Sequence, residues 1–413
     1  MSFSEKLRDF SRAGHLPTLL TALLYFDFCF AVWVLNGAMA PYISQELGLD
    51  PAQKGFMVSV PVVAGALMRF PLGVLSQYIG RKRAAMLEMG VITLCLASGY
   101  LLVRSYTAVI AMGVALGVAG ASFGVALSLG SGSYPPRYKG LAMGIAGAGN
   151  SGSVLALLFA PPLAKEYGWR AVYGLSVVPM AVALVLLAVF AREPQDREDK
   201  KLSDYLKIIV DRDAWVFNLV YSVTFGGFIG LTSFLPTLFH DHYGIAKESV
   251  GKYSAISVIM ASLLRVAGGW LSDRIGGVRM LYGLCGVIAA SVALAASLPA
   301  SPWAMVGLLV VAFAAMGAGN GAVFQLVPLR FRGSTAVAGS LIGEVGALVG
   351  GFLPNAMGLG KKYTGSFAPG FWTIVGLTAA SLVALALVVP SWTKSWMGAG
   401  GKAVEKDLAE SGT

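Results

Sequence analysis

The sequence predicts an all-α integral membrane protein: twelve transmembrane helices in two pseudo-symmetric six-helix bundles. Three observations carry that expectation. Apolar runs of about 20 residues or more recur along the chain, basic residues collect in alternate loops, and one half of the sequence can be laid over the other. Of 413 residues, 56% are hydrophobic and 13% charged, with a mean hydropathy of +0.71, whereas a soluble chain carries about a quarter charged residues. Many of the 52 glycines fall inside apolar runs, where small side chains let helices approach closely.

Apolar runs between turn signals place spans near 18–43, 53–78, 84–103, 106–131, 138–165, 170–191, 214–240, 248–272, 279–298, 302–328, 333–360 and 369–391. The opening "MSFSEKLRDFSRAGH" is too polar for the apolar core of a cleavable signal, so the first span is expected to stay. The longest charged segment, "AREPQDREDKKLSDYLKIIVDRD", divides the chain. A first bundle then covers 1–191, a linker 192–213, a second bundle 214–391 and a tail 392–413.

Charge fixes the expected orientation. The termini and the even-to-odd loops collect Lys6, Arg8, Arg12, Arg81, Lys82, Arg83, Arg137, Lys139, Arg192, Arg197, Lys200, Lys201, Lys207, Arg212, Arg274, Arg279, Arg330, Arg332, Lys394, Lys402 and Lys406, 21 basic residues. The other side holds 8: Lys54, Arg104, Lys165, Arg170, Lys247, Lys252, Lys361 and Lys362. The positive-inside rule then puts both termini in the cytoplasm of a multi-pass inner-membrane protein, taken as a monomer in the lipid bilayer. The net charge of +10 is mostly this bias, so no nucleic-acid partner is needed to explain it. Cys29, Cys95 and Cys285 lie in apolar segments and read as small buried hydrophobes. His15, His240 and His242 form no ligand spacing, so neither a metal nor a cofactor is expected. A nucleophile with its base, and a phosphate-binding loop, are missing from the pattern, which argues against an enzyme.

Two basic residues remain, each inside an apolar run. "MRFPLGVLSQYIGRKR" from Met68 aligns with "LRVAGGWLSDRIGGVR" from Leu264, matching Arg69 with Arg265, Gly73 with Gly269, Ser76 with Ser272, Gly80 with Gly276 and Arg83 with Arg279. "PRYKG" at 136–140 echoes "LRFRG" at 329–333. Such a parallel repeat goes with a central cavity and alternating access. A charge at mid-membrane costs at least ~2.5–3.5 kcal/mol and is usually functional. Arg69 and Arg265, equivalent in the two halves, are expected to face one another as an anion clamp whose planar forks suit a planar oxyanion. The plainer expectation is that each ties up helix carbonyls or a carboxylate such as Glu344.

The turn "GVLSQYIGRKR" and its copy "GWLSDRIGGVR" resemble the loop motif of the major facilitator superfamily, with Gln77 where the motif has an acid and Asp273 keeping it. Weaker charge pairing is therefore expected at the first copy. "GLAMGIAGAGNSGS", "GSLIGEVGALVGGFLP", "VFQLVPLRF" and "LVYSVTFGGFIG" further resemble the nitrate/nitrite porter family within that superfamily. The resemblance implies that Arg69 and Arg265 are the paired substrate arginines, Tyr221 a hydroxyl donor, Phe123 and Phe225 the rings sandwiching the anion, and Asn150 a polar contact. Asn320, in "GAGNGAVFQLVPLRF", is a candidate additional polar contact in the cavity. Read without the family, Phe123, Tyr221 and Phe225 are equally ordinary packing residues, and the glycine stripes Gly140, Gly144, Gly147 and Gly343, Gly346, Gly350 serve either static packing or sliding.

The expected function is secondary transport of nitrate, and of nitrite, by alternating access. Moving one negative charge inward costs about 2.3 kcal/mol per 100 mV, so a second ion is required: nitrite in exchange, or protons in symport. Asp27 and Glu344, the acids well inside spans, are either candidate proton carriers or structural or cavity-facing carboxylates, while Glu88 is expected to balance the nearby arginines. A carrier of another small planar anion such as a short carboxylate, or a nitrate sensor that does not transport, are the alternatives.

Overall fold

The computed structural model describes residues 3–195, 207–331 and 335–402. Arg197, Lys200, Lys201, Arg332 and Lys406, counted above for orientation, lie outside them, as do the side chains of Lys6 and Arg137. Twelve described helices are long and apolar enough to cross a membrane: α1 (Leu16–Trp33), α2 (Pro51–Ile79), α3 (Arg81–Leu102), α4 (Tyr106–Ser131), α5 (Tyr138–Tyr167), α6 (Trp169–Phe190), α7 (Arg212–Asp241), α8 (Val250–Ile275), α9 (Gly277–Ala296), α10 (Pro302–Arg330), α11 (Ala338–Thr364) and α12 (Ala368–Ser395). An even number of crossings puts both ends of the chain on one face.

Local chemistry explains where these helices begin and stop. Before α2, Asp50 and Gln53 cap each other, with Gln53 N donating to Asp50 Oδ1 at 2.8 Å and Asp50 N to Gln53 Oε1 at 3.0 Å, and Pro51 starts the first turn. The duplication is visible in the backbone. Gly80 between α2 and α3 has φ 94° and Gly276 between α8 and α9 has φ 98°, a conformation that only glycine adopts cheaply. One expected span differs: the run 18–43 is a helix that ends at Trp33 and continues as the short helices Leu35–Ala38 and Ala40–Leu47. Gly37 lies there with its Cβ position 2.2 Å from the Ser233 carbonyl oxygen, and Pro41 supplies no N–H to carry the ladder on.

Three spans are not uniform α-helix. α4 and α5 pass through 3₁₀ turns at Val118–Ala121 and Ala148–Ser151, and α7 through a π-turn at Ser222–Gly226. Short departures of this kind recur at functional sites. The spans fall into layers: α1, α4, α7 and α10 are 56–89% enclosed, while α3, α6, α9 and α12 are 28–39% enclosed and form the outer rank. The remaining four pair across the halves, α2 with α11 and α5 with α8.

On the face away from the termini, three ion pairs join the halves: Lys54 to Asp241 at 2.5 Å, Lys165 to Glu248 at 2.7 Å and Lys362 to Asp50 at 3.0 Å. Backbones also close there, with Asn355 N donating to Ser59 Oγ at 2.9 Å and the Cβ position of Gly55 2.6 Å from the Pro354 carbonyl oxygen. That face is shut. On the face of the termini the helix Phe3–Ala13 docks through Phe10, stacked on Tyr134 at 4.8 Å. At the first copy of the repeated turn, Glu193, just beyond α6, accepts from Arg81 N at 2.7 Å and Lys82 N at 2.8 Å. The acid that the motif lacks at Gln77 is thus matched by one that lies 112 residues beyond Arg81, stabilising the amino end of α3.

Glu88 departs from expectation. It does not balance the arginines at the start of α3 but is 2% exposed within the first bundle, where its Oε2 accepts from the Tyr25 hydroxyl and its Oε1 has no partner among the described residues. Cys29 and Cys285 are buried and Cys95 half-buried, all unpaired thiols, in keeping with small packing residues.

Candidate functional site

Arg69 and Arg265 meet at the centre, 5% and 9% exposed. They are positioned alike, one on α2 and one on α8, because the repeated turn sets the same number of residues between each arginine and its positive-φ glycine. Both guanidinium groups lie over a single ring: Arg69 Cζ is 5.4 Å and Arg265 Cζ 5.1 Å from the Phe123 centroid. Phe123 comes from α4 just after its 3₁₀ turn, so the clamp joins both halves through one side chain of the first. Each cation–π contact is worth up to about 2 kcal/mol when dry.

The environments of the two arginines differ. Arg69 donates from Nε to the Gly120 carbonyl at 3.0 Å and from Nη1 to the Gly343 carbonyl at 2.5 Å, inside an aromatic box completed by Trp33 at 5.3 Å and Phe225 at 5.0 Å. Trp33 is fixed in turn by its indole N–H, which donates to the Pro61 carbonyl at 2.7 Å. The plainer expectation thus holds in part: two of five donors serve helix carbonyls. Nη2 remains buried without a partner among the described residues. Arg265 makes no backbone hydrogen bond among the described residues, packs against Phe324 at 5.9 Å, and has Nη1 buried and unpartnered. Two unsatisfied donors on permanent cations are expensive to leave empty and are available to an anion.

Tyr221 and Phe225 flank this point from α7. Their rings stack at 5.2 Å and 9°, with the π-turn beginning between them, and Phe225 stacks on Phe123 at 6.4 Å. The Tyr221 hydroxyl interacts with both arginines and lies against Arg265, outside the geometry of a full hydrogen bond to any described group. Phe324 stands edge-on to Tyr221 at 5.3 Å. Asn320, one turn earlier on α10, is fully buried with both amide atoms unpartnered among the described residues. Asn150 is fully buried on the 3₁₀ turn of α5. With its amide nitrogen facing its own helix it donates to the Gly147 and Ala148 carbonyls at 3.1 and 3.3 Å.

Of the acids, Asp27 accepts from Ser151 Oγ at 2.6 Å and from the Gly152 N–H, at the α1–α5 crossing. Glu344 is half-buried, directly after the glycine whose carbonyl holds Arg69. The glycine stripes touch the site itself: the Cβ position of Gly343 is 3.1 Å from Arg69 Nη1 and that of Gly346 2.5 Å from Tyr221 Cδ1. Trp33 and Phe324 are the cage members that sequence reasoning missed, since aromatic residues at helical spacing ordinarily read as packing.

The sequence pattern of the Major Facilitator Superfamily matches residues 21–354. The chain belongs to that superfamily. Major facilitator proteins are transporters, and among relatives of this one is "Nitrite extrusion protein" of Bacillus subtilis (strain 168), 30% identical over 360 residues, 86% of this chain and 89% of that one. "Probable nitrate/nitrite antiporter NarK1" of Thermus thermophilus is 29% identical over 420 residues, 92% of both chains. Among solved structures, a bacterial homolog to the human lysosomal transporter Spinster, inward-facing and occupied, superposes with a TM-score of 0.71 at 18% identity, over 92% of this chain and 98% of that one. This major facilitator chain is therefore a multi-pass membrane protein with the expected architecture. The names of the first two relatives are those of the branch that its glycine-rich motifs resemble.

Proposed function

We propose that this protein is a secondary transporter of nitrate and nitrite in the cytoplasmic membrane, with both termini in the cytoplasm, acting by alternating access rather than as an enzyme. The observation that carries the reading is the pair of guanidinium groups from equivalent positions in the two halves, over one phenyl ring, each with a buried N–H to offer. A flat monoanion needs few donors, and aromatic faces replace its weakly held water. A sulfate or phosphate would require more donors than these. The names of the relatives point to the same ions.

Arg69, Arg265 and Tyr221 supply the polar contacts, Phe123 and Phe225 the faces, with Asn150 and Asn320 as further polar groups of the cavity wall. The face closed by the ion pairs is the outer one in this orientation. Inward movement of the anion is offset either by nitrite leaving or by protons entering. Purified protein in proteoliposomes tests the reading: labelled nitrate should enter vesicles loaded with nitrite or placed in an inward pH gradient. No uptake under either condition would reject it.

A further inference from the structure

We infer that Glu344 binds the proton that travels with the anion, serving as the counter-charge of Arg69 while the site is empty and giving up that role when the anion arrives. The inference rests on the anion-carrier reading above and deepens it. On α11, Gly343 offers its carbonyl to Arg69 Nη1 at 2.5 Å, and Glu344 follows it in the chain. Four residues earlier, Ser340 Oγ lies 3.6 Å from the Cβ position of Gly124 on α4, and seven residues later the Cβ position of Gly351 lies 2.9 Å from Val63 N on α2. Positions spaced by four and seven share a helix face, so Glu344 sits on the stripe of α11 that meets the opposite half.

Its carboxylate makes no ion pair or hydrogen bond among the described residues, although it interacts electrostatically with Arg69. The other helices packed against α11 bring no competing charge to it. α4 contains no acid or base apart from Tyr106, α12 none before Lys394, and α10 none before Arg330, which Asp211 and Asp213 hold at 2.7 and 2.5 Å. α7 presents Tyr221. The other intramembrane acids are engaged: Asp27 by Ser151 and Gly152, and Glu88, enclosed in the first bundle, by Tyr25. Glu344 alone of the three combines solvent access, a free carboxylate and a cationic neighbour from the opposite half.

The exchange conserves charge. The entering anion adds one negative charge beside Arg69, and a proton from the same side forms an O–H bond on the Glu344 carboxylate and removes one. When the anion leaves on the other side, Glu344 releases its proton there and again faces Arg69. Empty and loaded carriers then cross with equal charge, so uptake follows the pH gradient and is indifferent to the membrane potential.

Nitrate binding and nitrate-driven proton movement, measured on the protein in proteoliposomes between pH 5 and 9, test this. The expected result is that affinity falls about tenfold per pH unit on the alkaline side, with one proton entering per nitrate. Glu344→Gln should abolish the slope, and Glu344→Asp should keep it with a displaced midpoint. The inference is overturned if the unaltered protein exchanges nitrate for nitrite while moving no protons, or if Glu344→Gln keeps the slope. Should Glu344→Gln fail to fold, the unaltered protein and Glu344→Asp decide between these results. Absence of nitrate movement of any kind would reject the carrier reading, and this inference with it.

Discussion

Arg69 on α2 donates a hydrogen bond from Nη1 to the Gly343 carbonyl of α11 at 2.5 Å, so one guanidinium group of the first half is fastened to the backbone of the second. The contact sits at the proposed anion site, on the two helices that must slip past one another if the halves rock. Arg69→Lys keeps the charge and loses the fork. A hydrogen bond to a charged group is worth about 1.5–3 kcal/mol, so nitrate uptake by this variant should fall by roughly 10- to 150-fold, and by at least as much when Arg265→Lys is added. Initial rates of labelled nitrate entry into proteoliposomes check this, and an undiminished rate in the double variant would remove the clamp from the mechanism.

Tyr221→Phe separates binding from stability. The hydroxyl is buried without a full hydrogen bond among the described residues, so its removal should leave thermal stability unchanged or slightly raised. In the proposed site the same hydroxyl donates to the anion, so its loss should raise KM about 10- to 150-fold, the worth of one hydrogen bond to a charged group. Thermal melts with and without nitrate read both effects at once.

Glycine-to-alanine substitutions should sort by what the new methyl meets. At Gly350 it would lie 2.4 Å from the Gly226 carbonyl oxygen, backbone that cannot step aside, whereas at Gly124 the nearest atom is Ser340 Oγ at 3.6 Å. Gly350→Ala should therefore cost about 1–3 kcal/mol and Gly124→Ala close to nothing. Melting temperatures in detergent compare them.

The outer ion pairs should hold the closed face across the physiological range. Asp50, before α2, is kept below the usual carboxylate range by the Gln53 N–H and then by Lys362, and Glu248, between α7 and α8, by Lys165. A carboxylate with a depressed value contributes above its free value, about 4, and stops contributing as pH falls through the depressed one. Spin-label distances across this face should stay constant from pH 8 to 5 and lengthen only below about 4. Lys54→Met strands Asp241, whose side chain is 20% exposed. It should destabilise the closed state by up to about 3 kcal/mol and lengthen the same distances at neutral pH.

Much of this architecture is legible in the chain. Hydropathy alone finds twelve crossings, and the Arg69–Arg265 repeat locates the centre, because a charge stands out against an apolar run. The helical irregularities do not show. Val118–Ala121, Ala148–Ser151 and Ser222–Gly226 consist mostly of small or apolar residues, and their pattern is the same whether the backbone bonds three, four or five residues back. Long-range partners are equally silent: nothing near Glu88 announces Tyr25, 63 residues earlier, nor does Lys54 announce Asp241, 187 residues later. The cage rings Trp33 and Phe324 escape because their role depends on what they surround rather than on their own spacing.

The unequal tethering of the two arginines makes a duplicated frame behave as a lopsided tool. One cation is a fixed post, moored to Gly120 and Gly343; the other is a loose arm, with no mooring among the described carbonyls. Solutes arriving from opposite sides of the membrane then meet different obstacles first, so forward and reverse turnover rates need not match even where the equilibrium is balanced.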